Sequence, residues 1–402
     1  MLYFLQNRWL RGARARHGRR NQEWRCTMKD PVTRRQPEHL LLIGGGHAHV
    51  AVLADWIRNG LPCDRATILT PSSHLRYSGT VPGWISGHYA RDEGLVDVAG
   101  LARRAGATFH EGRCSRIEPD ARMVETDTGE RIEFDIASLD TGGVGQARDV
   151  LGEDPRLVDV RPIQNFVERI DTLGPSRRIA VIGGGAGGVE LAFALRNRSA
   201  DERGPDVILV SGEAGLLPDF SKSVRKAVEK QLSKQLISLM KQDAHITAGG
   251  LYAGRTSLEP VDTIIAALGS GAPDWVKESG LATDEAGFAA VDRHQRSTSH
   301  AHIFAVGDVA SRQDRNVPHS GVHAVFAGPV LAANLRAVMA GQEPRDTYRP
   351  RWSNLYLMST GDGRAIASYG PLCAKGRWVS RLKHFIDMRW LRKYAVLAGG
   401  SG

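Results

Sequence analysis

Three glycine-rich segments hold the residue types from which chemistry can be built. Residues 179–190 run from a β-branched strand into Gly183, Gly185 and Gly188 at G-x-G-x-x-G spacing, and Leu191 and Leu195 then continue at helical intervals. In such a strand, turn and helix, the first glycine permits the tight turn and the second lets a pyrophosphate approach the backbone. The third lets the helix pack on the strand while its N–H groups face the anion. Glu190 stands one turn into this helix, an acid close to whatever the turn holds. Residues 41–46 repeat the pattern with Gly44, Gly45 and Gly46, but the third glycine position is His49, and His47 also lies in the turn. Two readings stay open: the histidines touch a ligand, or they fill the turn and cap backbone groups. Bulk at a position that wants glycine needs a reason. The third segment, residues 303–308, is an apolar run ending in Gly307 and Asp308.

These turns need strands before them and helices after them. Behind the first turn, Val50, Leu53, Ala54 and Ile57 form an apolar stripe at helical spacing. The next strand, residues 66–70, ends on Thr70 where an acid normally takes ribose hydroxyls, and the matching strand of the second unit, 207–211, ends on Ser211 with Glu213 two positions on. Neither an acid nor an arginine holds the deciding position, so NADH and NADPH are not separated. Residues 75–83, rich in turn formers, should cross the carboxyl ends of the strands and bring Tyr77 and Pro82 to the ligand. Residues 106–136 alternate short β-like runs with turns and predict a small antiparallel insertion. Residues 135–143 read as a strand with a glycine exit at Gly142, and 262–269 as a returning strand ending at Gly269. Helices are expected over 162–173 and 221–239.

The implied fold is α/β, with two Rossmann-like dinucleotide-binding domains, the second inserted into the first, and a short C-terminal region. The expected boundaries are a leader over 1–38, a first domain over 39–150 and 290–345, a second over 151–289, and a C-terminal region over 346–402. A chain of 402 residues has room for that many domains. No apolar run reaches the roughly 18 residues that span a bilayer.

The net charge of +9 sits mostly in residues 1–39, where ten Arg and Lys face three acids. A basic tail over a nearly neutral body argues against nucleic acid as a partner. The leader itself reads as a disordered extension, a targeting segment, or an over-long start ahead of Met28. Cys26, Cys63, Cys114 and Cys373 are far apart. No metal site or redox disulfide is expected, and a reducing, cytoplasmic setting is.

As an ordered series, residues 44–49 (GGGHAH), 77–89 (YSGTVPGWISGHY), 139–143 (LDTGG), 304–310 (FAVGDVA) and 321–335 (GVHAVFAGPVLAANL) resemble the two-dinucleotide-domain flavoproteins of the pyridine nucleotide-disulphide oxidoreductase superfamily. Within them the likeness is to type II NADH dehydrogenases and sulfide:quinone reductases. It is nearest to the NADH dehydrogenase-like flavoproteins, some of them fused to selenide, water dikinase. The resemblance runs over residues 39–395 and implies FAD in the first domain, its pyrophosphate at Gly44, Gly45 and Gly46, with His49, Thr70, Tyr77, Pro82 and Gly142 around it. It implies a nicotinamide nucleotide at Gly183, Gly185 and Gly188, with Ser211 and Gly269. Gly307 and Asp308 match the pair that holds the ribityl chain, and the helix from Gly321 and Val322 would point its positive end at the flavin edge where charge accumulates on reduction. Glu190 matches an acid near nicotinamide and flavin, either a proton relay or a solvated helix-start residue, and His47 is the second candidate catalytic group. Two departures stand out. Val322 and Phe326 occupy the positions of a glutamine pair associated with quinone, and no cysteine occupies a sulfide or disulfide motif position.

The implied activity is that of an FAD-dependent NAD(P)H dehydrogenase passing electrons to an acceptor, quinone first. The alternatives are a flavin-binding redox partner or sensor, and a reductase of a selenium or sulfur species. Residues 375–395 predict an amphipathic helix with Trp378, Leu382, Phe385, Ile386 and Trp390 on one face and Arg381, Lys383, Arg392 and Lys393 flanking it. That face either lies in a membrane interface, as a peripheral attachment on the inner side of the cell membrane, or packs on the body or another subunit.

Overall fold

The computed structural model describes residues 37–174, 176–198 and 204–399. The readings made for residues 1–36 lie outside them.

The fold starts from β1 (His39–Ile43), an apolar run buried at every position. A strand with no polar alternation needs cover on both faces and partners on both edges, which only the centre of a parallel sheet provides. β1 accordingly pairs in parallel with β2 (Arg65–Thr70) on one side and β4 (Ile136–Leu139) on the other, and α1 (His47–Asn59) lies between β1 and β2 in sequence. β3 (Thr108–Glu111) extends the sheet beyond β2. This corrects the expected antiparallel insertion over 106–136. Its first strand is a parallel member of the main sheet, and the antiparallel meander comprises Cys114–Glu118, Met123–Thr126 and Arg131–Glu133. A four-residue strand gives too little pattern to separate an edge strand from a hairpin strand.

The chain then builds a second parallel sheet from β5 (Leu157–Asp159), β6 (Arg178–Ile182), β7 (Asp206–Val210), β8 (Ser238–Met240) and β9 (Thr263–Ala266), in the spatial order β5-β9-β6-β7-β8. α2 (Ala186–Arg196) follows β6, and α3 (Lys222–Lys234) follows β7. α3 is shorter than the 221–239 expected. Leu236 turns into the left-handed region (φ +57°), and the chain goes straight into β8. β10 (Ile303–Ala305) then pairs with β4, so the last strand of the first sheet arrives after the whole second sheet has been made.

α4 (Gly321–Met339) crosses α1 closely at Gly328, where a Cβ would stand 2.7 Å from that of Ala51. α4 is the one helix among the described residues long and apolar enough to cross a membrane by length and composition, which the sequence reading did not register. Here its Leu331 and Leu335 are packed with Leu40, Leu42, Val50 and Leu53 in the core of the first unit. The C-terminal region adds a sheet that the sequence did not suggest: antiparallel β11 (Tyr356–Ser359), β12 (Ala365–Tyr369) and β13 (Leu372–Gly376), leading into α5 (Arg377–Ala398).

Candidate functional site

At the first turn, Gly44 takes φ +95°, and a Cβ there would lie 2.4 Å from the Asp140 carbonyl oxygen. In the second unit the third glycine is needed because a Cβ on Gly188 would stand 2.0 Å from the Gly183 carbonyl. His49 occupies the equivalent place in the first unit and solves the same contact differently. Its ring is fully buried, with Nδ1 2.6 Å from the Gly44 carbonyl and Nε2 2.9 Å from the Ser138 hydroxyl. A carbonyl can only accept, so Nδ1–H donates to Gly44 and Nε2 accepts from Ser138. Burial holds this imidazole neutral, with its pKa lowered to about 4. Of the two readings left open for His49, the geometry places the ring inside the turn, bracing it.

Asp140 sits across the start of α1 and accepts from Ala48 N (2.8 Å) and His49 N (3.0 Å). Burial raises its carboxyl to about 7, against the lowering effect of those two N–H groups. Sequence reasoning passed over Asp140. An acid in a buried strand exit beside a glycine turn was the available signal.

His47 points the other way. It lies 3.9 Å from where a Cβ on Gly321 would be, edge-on to Tyr77 (ring centroids 5.8 Å) and 5.5 Å from Trp390. Burial lowers its pKa to about 4, with Asp308 opposing and Arg161 adding to the shift, so the imidazole is neutral. Asp308 is buried and receives the Arg161 guanidinium (2.8 Å) and the Ser270 hydroxyl (3.2 Å), both contributed by the second sheet's connections. Gly307, Asp308 and Ser320 line one cavity together with His323 and Tyr348. Thr70 is buried, its Oγ1 2.9 Å from a Cβ position on Gly45. Val322 is half-buried on the first turn of α4.

The second turn is open. No neighbour approaches within 4 Å of a Cβ placed on Gly185 or Gly269, nor on Gly142 at the exit of the first sheet. Ser211 is buried and donates to the Met240 carbonyl (3.1 Å), so its hydroxyl faces the neighbouring strand. Pro82 belongs to the short helix Val81–Ile85, whose Val81 and Ile85 share a core with Val189 and Phe193 of α2. The loop of the first unit is thereby anchored on the glycine-rich helix of the second.

Glu190 is half-buried, and its Oε1 accepts from Ser359 N (2.8 Å) on β11. Burial raises its carboxyl above the usual range, while Lys383 and the Ser359 N–H pull it down. The solvated alternative for this acid does not describe its position. Lys383, which the sequence placed on an exposed flank, is 12% exposed and ion-paired with Asp387 (2.9 Å). Asp387 also accepts from the Tyr77 hydroxyl (3.0 Å), and Tyr77 stacks on Trp390 at 4.7 Å. The expected single apolar face of α5 is therefore split. Val379, Asp387, Leu391 and Tyr394 are buried and Trp390 packs inward, while Trp378 and Phe385 remain 57% and 59% exposed. The signal for this arrangement was Asp387, the one acid among residues 375–395.

Residues 38–328 match the pyridine nucleotide-disulphide oxidoreductase family, and the chain belongs to it. It is 25% identical over 295 residues to ferroptosis suppressor protein 1 of Taeniopygia guttata, covering 69% of this chain and 74% of that protein. It is 24% identical over 291 residues to the NADH dehydrogenase-like protein YutJ of Bacillus subtilis (strain 168), covering 70% and 78%. The solved sulfide:quinone oxidoreductase of Aquifex aeolicus shares the fold with a TM-score of 0.70 and 18% identity, over 90% of this chain and 92% of that one. The chain is thus a flavoenzyme of this family, with FAD as cofactor and NAD(P)H as substrate.

The residues present fit FAD. Gly44, Gly45 and Gly46 let the α1 turn close against Asp140 and Thr70, where any Cβ would collide, and a turn that tight suits close approach of a pyrophosphate to the backbone. At the start of α4, the buried Ser320 hydroxyl has no partner among the described residues, beside Gly321 and the Asp308 cavity. Hydroxyl and carbonyl oxygens of a flavin would supply that partner at the positive end of a 19-residue helix. Among the described residues, no group of three or more His, Cys, Asp or Glu is placed to hold a metal ion.

Proposed function

We propose that the chain passes electrons from NAD(P)H to a quinone-type acceptor, at the junction of the two glycine turns where His47, Tyr77 and Trp390 pack together. The observation that carries this reading is the meeting of groups from both glycine turns. His47 of the first turn touches Tyr77, and the loop that carries Tyr77 packs its Val81 and Ile85 in one core with Val189, the neighbour of Glu190 in the second. Gly44 to Gly46, Ser320 and Asp308 would hold the FAD, which supplies a two-electron carrier between nucleotide and acceptor. Gly183, Gly185 and Gly188 would hold the nicotinamide nucleotide.

Reducing a quinone to a quinol takes two electrons and two protons. Hydride from NAD(P)H brings one proton with both electrons, and the second proton must come from the protein or solvent. Glu190 is suited to deliver it, since burial keeps its carboxyl above the usual range. Neutral His47 offers a ring nitrogen for hydrogen bonding without adding charge. Tyr77 and Trp390, stacked on each other, form an apolar aromatic cluster beside His47 that a ring substrate could pack against. The Aquifex aeolicus fold neighbour is itself named for a quinone.

The same reading places the protein on the cytoplasmic face of the membrane, where Trp378 and Phe385 with Arg381 alongside suit an interface and bring it to apolar quinones. The test is an acceptor screen. FAD-loaded protein is reduced anaerobically with NADH or NADPH, and soluble quinones, polysulfide, selenite and dioxygen are then compared for reoxidation. Fastest reoxidation by quinones supports the reading, and equal or faster reoxidation by another acceptor class refutes it.

A further inference from the structure

We propose that Asp387 is a positioning residue through which the C-terminal helix holds the 77–89 loop against the first glycine turn, so that retention of FAD depends on α5. Residues 377–398 lie beyond the family match, which ends at residue 328. The inference rests on the reading of the first turn as the FAD site.

The grip is made by one stripe of α5. Lys383, Asp387 and Trp390 recur at i, i+4 and i+7, which places them on a single helix face. Asp387 is buried and both its oxygens are used: Oδ1 accepts from the Tyr77 hydroxyl (3.0 Å) and Oδ2 from Lys383 Nζ (2.9 Å). Lys383 also donates to the Gly79 carbonyl (2.9 Å), so the acid and its lysine hold the loop at two points, two residues apart. Gly79 is suited to this place because a Cβ there would stand 2.7 Å from the Tyr77 ring. Trp390 stacks on Tyr77, and both rings meet His47. Nearer the end of the loop, the Tyr89 hydroxyl reaches His384 Nδ1 at 3.2 Å.

The loop needs such a holder. Between the paired strands His74–Arg76 and Leu95–Asp97 it contains only the short turns Ser78–Thr80 and Val81–Ile85, so no sheet fixes it. Val81 and Ile85 fasten it to α2, and the stripe on α5 fastens its start. α5 is itself rooted in the first unit, where Leu391 and Tyr394 share a core with Val50 and Leu53 of α1. His47 opens α1 directly after Gly44, Gly45 and Gly46. Side chains that fix Tyr77 and Trp390 on His47 therefore brace the edge of the turn that holds FAD, and loosening them frees the cofactor.

The test measures release of FAD from the loaded full chain, diluted into an excess of an unrelated apoflavoprotein that captures it. Tyr77→Phe removes one hydroxyl and leaves the stacked ring. It should speed release about tenfold, the lower end for losing a hydrogen bond to a charged group. Lys383→Met with Asp387→Leu removes the buried pair without stranding a charge and should speed release at least as much. Adding Tyr77→Phe to that pair should change nothing further, because its partner is already gone. Val228→Ala, which loosens the core of the second unit away from the loop, should release FAD at the wild-type rate. Wild-type release from Tyr77→Phe overturns the proposal, as do effects that multiply or equal acceleration by Val228→Ala. If the paired variant does not fold, Tyr77→Phe and Val228→Ala decide alone. Release that is unchanged in Tyr77→Phe but faster in His49→Gln would refute only the role of α5, whereas no change in either would also refute the first turn as the FAD site.

Discussion

Putting back the glycine that the first turn lacks should damage the protein. His49 stands where Gly188 stands in the second unit, yet its side chain is fully buried and joins the Gly44 carbonyl to the Ser138 hydroxyl at 2.6 and 2.9 Å. His49→Gly strands both partners. Each unsatisfied buried group costs about 1–3 kcal/mol, with the lower end applying where water reaches it. The missing ring leaves a void, and glycine inside the first turn of α1 adds backbone freedom, together about 1–2 kcal/mol. The expected loss is therefore about 3–8 kcal/mol, with weaker FAD binding because the Gly44 turn is no longer braced. His49→Gln, which retains one donor and one acceptor, should lose less. Urea unfolding at saturating FAD, followed by circular dichroism, measures the first quantity, and fluorescence titration with FAD measures the second. A loss under about 1 kcal/mol, or tighter FAD binding in the glycine variant, would refute the argument that histidine replaces close packing with hydrogen bonds.

Asp140 gives a pH prediction. Its folded pKa is raised to about 7 from an ordinary 3.8, so its contribution favours the fold below about pH 4 and is lost as pH rises through 7. Asp140→Asn should therefore gain stability relative to wild type as pH rises from about 4 to about 7, by at most about 4 kcal/mol in all; a difference between the two proteins that is flat in pH contradicts this. On the membrane, full-length protein should sediment with vesicles containing anionic phosphatidylglycerol, and Trp378→Ala with Phe385→Ala should reduce the bound fraction several-fold without changing FAD content. Equal sedimentation of the double variant would remove α5 as the attachment.

The parts of the fold legible in the sequence were those governed by neighbours in the chain. Two apolar strands running into glycine turns, and the late Ile303–Ala305 strand, could be read because turn geometry and strand burial are local demands. The junction was not legible in the same way. Lys383 meets Gly79 across 304 positions, and nothing near either residue announces the other. Lys383 read as a solvated flank because its helical neighbours are basic, and only the lone Asp387 hinted at a buried partner. The antiparallel C-terminal sheet escaped because its short strands border glycine-rich turns and carry weak alternation. Ser211 and Thr70 stand at the ends of their strands as the pattern suggests, but their hydroxyl directions depend on packing against other strands.

The most direct test of two dinucleotide sites working together compares wild type with Gly185→Trp, whose side chain would fill the open second turn. Both proteins should retain FAD at one per chain, and anaerobic NADH or NADPH should bleach the flavin in wild type but not in the variant. Bleaching of the variant at the wild-type rate, or a wild-type flavin that keeps its colour with both nucleotides, would contradict the account.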